Sequence, residues 1–183
     1  MLPCQNLTNK FWITTQNYMI MKSTLLKIIF LVSLCIVSCS KEEVASAPAD
    51  LSQANAKYTY TTEETQVMTL INKYRVSVGL STLSKIDYIS IKSEEHVNYM
   101  ISMGAVSHNF FQDRSENLTQ VIGAKYVSEN LAYNYATPES VVNAWLNSAG
   151  HKANIEGDYG YFGVSIRVNS SGKKYYTNIF IKK

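Results

Sequence analysis

All three cysteines of the chain, Cys4, Cys35 and Cys39, fall within its first 39 residues. Everything after Cys39 therefore has to fold without a disulfide, a cysteine-ligated metal or a thiol nucleophile. A chain of 183 residues has room for one domain with a substantial core and not for two ordinary ones. Core packing has to supply its stability. The apolar share of 46% and charged share of 17% are those of a globular protein.

The cysteines sit where an export signal would place them. From Met21 a short basic stretch with Lys22 and Lys27 leads into an apolar run, Ile28 to Ser38, that ends at Cys39. That run is short for a bilayer span, and a cysteine follows it in place of a basic stop-transfer cluster. Ile36-Val37-Ser38-Cys39 resembles a bacterial lipobox, which implies cleavage before Cys39 and acylation of its thiol. Each methylene of such an anchor buried in lipid adds roughly 0.8 kcal/mol. An uncleaved anchor helix is the competing reading. Phe11-Trp12-Ile13 precedes the basic residues, so residues 1–38 are read as a leader and lipoprotein signal with translation starting at Met21. Residues 39–59, rich in Ala, Ser, Pro and Gln with little to bury, are predicted to be a disordered tether. Lys41-Glu42-Glu43 resembles the charged surface-export signals of some Gram-negative lipoproteins, which implies an outer-membrane, surface-exposed location, but a solvated linker is the simpler reading of so short a triplet.

Lysine and arginine total 17 against 14 acids, and three of the lysines (Lys10, Lys22, Lys27) precede Cys39. Without them the counts are equal. A neutral domain with no basic stripe gives no electrostatic reason to expect nucleic acid as a partner.

Residues 60–183 are predicted to be a single α+β domain. Thr61 and Glu64 have capping-box spacing ahead of Val67, Leu70, Ile71, Tyr74 and Val78, the pattern of a four-turn helix. A second helix runs through Ile89, Tyr99 and Met103 to Gly104. The segment from Ala105 to Lys125 reads as loop with a short helical turn. Thr137-Pro138-Glu139 opens a third helix that ends ahead of Gly150. Tyr126 to Tyr133 reads as a strand, and Tyr161–Val168 with Lys174–Ile181 as a closing hairpin.

Only three histidines occur. His96, beside Glu94 and Glu95 in the second helix, reads as a packed helix residue. His108 and His151 lie in loop-like contexts among small residues, where a scaffold presents binding groups. Glu129 has apolar sequence to either side, and a buried carboxylate needs a partner. Two imidazoles and one carboxylate are the donor composition of several catalytic zinc sites. However, 21 and 22 residues separate the three, and no His-Glu-x-x-His helix is present. On spacing alone, unrelated polar residues are the simpler reading.

The order of these blocks resembles the CAP, or SCP-like, superfamily of cysteine-rich secretory, antigen and pathogenesis-related proteins in its bacterial form. Leu70-Ile71-Asn72-Lys73-Tyr74-Arg75 resembles its opening helix, His96 with Met100 its second helix, and Ser107-His108-Asn109 its first site histidine. Ser128-Glu129-Asn130-Leu131-Ala132 resembles its Gly-Glu-Asn block. Trp145, Ser148 and Gly150-His151 resemble its Trp…Ser-x-Gly-His block, and Phe162-Gly163-Val164 with Tyr176 and Phe180 its last hairpin. The resemblance implies an α-β-α sandwich around a central antiparallel sheet. It also implies a cleft built on His108, Glu129 and His151, in which some members bind zinc or another divalent ion. The second family glutamate would fall near Asn147 or Ser148, where this chain has no acid, and Ser128 stands in place of glycine. Three functional readings follow. The favoured one is a non-catalytic binding module at the envelope for a lipid, glycan or protein. The others are a divalent-metal hydrolase using the same three residues, and a hydrogen-bond network that only holds the cleft loops.

Overall fold

The computed structural model describes residues 51–183. The leader, Cys39 and the first part of the expected tether lie outside these residues.

A four-stranded sheet forms the middle layer, with strand order β1-β3-β4-β2. β2 (Tyr126–Tyr133) pairs antiparallel with β4 (Lys174–Lys182), which pairs antiparallel with β3 (Tyr161–Val168). The two-residue β1 (Ser84–Lys85) runs parallel to β3 and adds one short parallel pair to the expected antiparallel sheet. The predicted hairpin and strand are present, because alternating side chains serve two buried faces. Phe162, Val164, Ile166, Tyr176 and Phe180 meet α1 (Thr62–Ser77), α4 (Pro138–Leu146) and α5 (Ala149–Glu156) on one face. On the other face Leu131, Tyr175, Ile179 and Ile181 meet α2 (Asp87–Met103) and α3 (Phe111–Ile122). This is an α-β-α sandwich. Among the described residues no helix is long and apolar enough to cross a membrane.

The helix boundaries follow local chemistry. Thr61 and Glu64 form the expected capping box, and Thr137 with Ser140 forms a second one ahead of Pro138 in the first turn of α4. α2 ends on Gly104, whose φ of 65° is the left-handed conformation a helix C-cap requires. Gly163 answers a different need. A Cβ there would lie 2.4 Å from the Ser90 backbone nitrogen, so α2 packs directly on β3 and Ser93 Oγ donates to the Gly163 carbonyl at 3.0 Å.

Two sequence-based expectations are corrected. The segment from Ala105 to Lys125 holds the full helix α3, of 12 residues, whose buried positions Arg114, Leu118 and Val121 are spaced by four and three residues. An arginine in that pattern hides the apolar stripe. The chain after Leu146 also does not become loop at His151, because α5 starts at Ala149 and carries Gly150 and His151 in its first turn.

The folded region also reaches back into the expected tether. Leu51–Asn55 form a 3-10 turn, and Gln53 Oε1 accepts from the Tyr88 hydroxyl at 3.2 Å. The Tyr58 hydroxyl donates to Glu64 at 2.8 Å. Glu64, fully buried, also accepts from the Ile166 amide at 2.9 Å and from Arg167 Nη1 at 2.8 Å. Burial of these aromatic and charged groups is compensated by full hydrogen bonding, which pins the chain up to α1 on β3.

Candidate functional site

β2 is an edge strand, and its alternation places Glu129 and Asn130 on opposite faces of the sheet. The site is assembled across that edge from both helical layers.

On the α2–α3 face, Glu129 is 5% exposed. Arg114, one turn into α3, forks onto it: Nε donates to Oε2 at 3.0 Å, while Nη2 lies 2.9 Å from Oε1 and 2.8 Å from Oε2. Arg114 Nη1 donates to the Asn109 carbonyl at 2.8 Å. His108, in the turn before α3, donates from Nδ1 to Glu129 Oε1 at 2.9 Å. Its side chain remains 59% exposed, so Nε2 is available to a ligand. This buried bidentate pair is a charge-balanced unit that fixes one imidazole by its inner nitrogen.

His96 belongs to the same cluster. Its ring, on α2, is buried with Nε2 3.8 Å from Glu129 Oε1, and it donates from Nε2 to the Ser107 carbonyl at 2.8 Å. Nδ1 then has no partner among the described residues. Desolvation by burial pushes its pKa down, against an opposing pull from Glu129 and with a further push from Arg114. A second N–H would find no acceptor, so His96 is the neutral buttress of the loop that carries His108. Tyr99 stacks on it with ring centroids 5.8 Å apart, and Phe110 meets Tyr99 edge-on at 5.3 Å. Phe110 itself holds a left-handed φ of 58° where the chain turns into α3.

His151 approaches from the other layer. Asn130 Nδ2 donates to its backbone carbonyl at 2.9 Å, and Asn154 Nδ2 donates to Asn130 Oδ1 at 2.8 Å and to the Glu129 carbonyl at 3.3 Å. Trp145 Nε1 caps the Leu131 carbonyl at 2.9 Å. Helices α4 and α5 thus occupy acceptors that an open edge strand would otherwise offer. Burial pushes the His151 pKa down, and His108 lies near enough to add to the effect. No hydrogen bond joins the His151 ring to His108 or Glu129. A hollow of about 290 Å³ opens over the edge, lined by His108, Phe111, Val127, Ser128 and Glu129, and His151 does not line it.

The residues do not fit a resident divalent metal. Both Glu129 oxygens already accept from a guanidinium whose fixed positive charge opposes a second cation. Among the described residues no group of three His, Cys, Asp or Glu side chains is disposed to hold an ion. Sequence reasoning asks for a partner to Glu129 and does not find Arg114. The signal is present: the chain has three arginines against many lysines, and all three bind buried or half-buried acceptors.

The match to known proteins settles the family. The model of the cysteine-rich secretory protein family, CAP, matches residues 68–180. The chain belongs to the CAP family. Among curated relatives it is 32% identical over 143 residues to the uncharacterized membrane protein YlbC of Bacillus subtilis, a match covering 74% of this chain and 39% of YlbC. This CAP chain therefore spans well under half the length of that relative. Among solved structures it superposes on an outer surface protein of Borrelia burgdorferi with a TM-score of 0.62 at 20% identity, covering 70% of this chain and 98% of that one. An SCP-domain extracellular protein of Bacillus anthracis gives 0.58 at 24% identity, covering 66% and 40%. These structural likenesses establish the CAP fold, and the block order read from the sequence agrees with it. The 3-10 turn, Tyr58 and Glu64 precede the residues that the family model matches.

Proposed function

We propose that this chain is an exported, lipid-anchored CAP module that binds a ligand at the envelope through the cleft on the edge of β2, using His108, Glu129 and His151. The supporting observation is the division of labour around Glu129. Arg114 saturates and neutralises the buried carboxylate, and Glu129 holds His108 by Nδ1 with an exposed Nε2 beside the hollow. Held so, the His108 ring turns its second nitrogen away from Glu129, and His151, whose pKa burial pushes down, is a second imidazole nearby. Such a cleft suits hydroxyl- or amide-bearing groups of a glycan, lipid headgroup or protein more than a charged ligand. Export agrees with the signal pattern ending at Cys39 and with the names of relatives that are called membrane, outer surface and extracellular proteins.

The test is native mass spectrometry of the full chain for retained ligand, together with pull-down on envelope fractions. Loss of ligand and of envelope binding in His108→Ala is the expected result. Binding unchanged in both His108→Ala and His151→Ala would refute the cleft. Mass spectrometry of the mature N-terminus tests the anchor separately: an unmodified Cys39, or a chain still carrying Phe30, would sink it.

A second reading is favoured by the saturation of Glu129. If the network only holds the loops, His151→Ala lowers thermal stability while all binding stays unchanged. The hydrolase reading has less support, because Arg114 occupies the carboxylate a metal would need.

A further inference from the structure

β2 is the last strand of its sheet, so half of its backbone hydrogen-bonding groups bond to β4 and the other half leave the sheet. The Asn134 amide sets the phase. It donates to the Lys174 carbonyl at 2.7 Å, one step beyond the Tyr133–Tyr175 register pair. Bonded pairs alternate along an antiparallel ladder, so the even-numbered residues of β2 face β4, while Val127, Glu129 and Leu131 turn their N–H and C=O outward. Side chains close the outward carbonyls of Leu131 and Glu129, through Trp145 Nε1 at 2.9 Å and Asn154 Nδ2 at 3.3 Å. The other side of the sheet is treated alike: where β3 runs on past β1, Glu64 accepts from the Ile166 amide. Such caps keep a sheet edge from pairing with foreign backbone.

Val127 has no cap. Its outward N–H and C=O have no hydrogen-bond partner among the described residues, and the residue is partly exposed. It opens on the hollow of about 290 Å³, together with Phe111 and the exposed Nε2 side of His108. Ser128, the next residue, lines the same hollow, and its Oγ also lacks a partner among the described residues. The gap is short. Towards the start of β2 the Lys125 amide donates at 2.7 Å to the carbonyl of Lys182, already the register partner of Tyr126, and this bulge ends the straight edge. Towards the other end Asn154 occupies the next outward carbonyl.

We infer that the gap at Val127 is a strand-addition site, at which an extended, uncharged peptide segment pairs antiparallel with Val127 and lays one apolar side chain into the hollow. This rests on the reading of the β2 cleft as a binding site and names the class of ligand it takes. An extended residue carries one N–H and one C=O on the same side, the complement of what Val127 presents, whereas the hydroxyls of a saccharide have no such fixed pairing. Residues opposite each other in a ladder point to the same face, so the peptide side chain opposite Val127 falls on the α3 face, over Phe111. Arg114 already balances the Glu129 charge there, which leaves nothing in the hollow to call for a charged side chain.

The probe is the blocked pentapeptide acetyl-Ser-Ser-Leu-Ser-Ser-amide, titrated into the isotope-labelled full chain and followed by NMR. It is compared with three versions, each N-methylated at the leucine or at one of the serines beside it, and with tetra-N-acetylglucosamine. The pentapeptide is expected to bind with Kd below about 1 mM, to move the amide signals of residues 108–111 and 126–129, and to slow hydrogen exchange at the Val127 amide. N-methylation at leucine should weaken binding at least about tenfold, while N-methylation at either serine, whose N–H faces away from β2, should change it by less than about twofold. A site that reads side chains alone would not produce this alternation. Absence of pentapeptide binding, equal losses from all three N-methylated versions, no loss from any of them, shifts confined to other residues, or binding of the saccharide alone would each overturn strand addition. Should His108→Ala still lose its envelope ligand in any of those cases, the cleft stands without the added strand.

Discussion

Replacing Arg114 by alanine is the sharpest perturbation of this molecule. The Glu129 side chain is 1% exposed and that of Arg114 9%, so the pair is shielded from water and from salt. Removing the guanidinium takes away the donors to Oε2 and leaves His108 alone on Oε1. A buried carboxylate stripped of its partner costs about 3–5 kcal/mol. Against the roughly 5–15 kcal/mol that holds an ordinary domain together, that is a large share. For a domain of this size it should lower Tm by about 10–20 °C. The cost belongs to the stranded charge more than to the pair. Arg114→Met combined with Glu129→Gln, which removes both charges, should therefore recover at least about half of the loss. Differential scanning calorimetry and urea denaturation of the wild type, Arg114→Ala, Glu129→Gln and the double variant measure this. An Arg114→Ala protein within about 0.5 kcal/mol of wild type, or a double variant carrying the sum of both single losses, would refute the reasoning.

Three more outcomes follow from the same geometry. His96 and His151 both have pKa values held below the ordinary histidine range by burial, so the unfolded chain binds more protons than the folded one below about pH 6.5. Stability should be level above that value and fall as pH drops towards 5, and His96→Gln should flatten the dependence in urea titrations across that range. Gly163→Ala, which would drive a methyl group into the Ser90 nitrogen, should cost about 3 kcal/mol or more, read as a fall in urea midpoint. Zinc titrated into wild type should show no stoichiometric binding at micromolar concentration, and EDTA should leave its Tm unchanged. Arg114→Ala, with Glu129 released beside His108 and His96, should gain zinc affinity at least about tenfold. Stoichiometric zinc on wild type lost in His108→Ala would contradict the metal-independent site.

Much of the architecture is legible from local patterns. Thr61 and Glu64, Pro138 and Gly104 are boundary signals written within three or four residues of each other, and local hydrogen bonds enforce them wherever the helix packs. The alternation in β3 and β4 reports two buried faces directly. α3 escapes such a reading because its buried stripe begins with a charged residue, and a charge on a core face has meaning only once its partner is known. The start of α5 escapes it because Ser148-Ala149-Gly150 looks like loop until tertiary contacts hold it as helix.

The site divides the same way. The resemblance of the block order to the CAP family picks out His108, Glu129 and His151, and the absence of cysteine after Cys39 by itself determines that the domain must be held by packing and polar pairing. Tertiary structure alone decides what those residues do. It closes Arg114 onto Glu129 across 15 residues, turns the discounted His96 into a neighbour 3.8 Å away, and sets His151 on the opposite layer. The reason is the edge strand: alternation in β2 is readable in one dimension, but which helices fold over its two faces, and which charges they bring, is fixed only when long-range packing closes the sandwich.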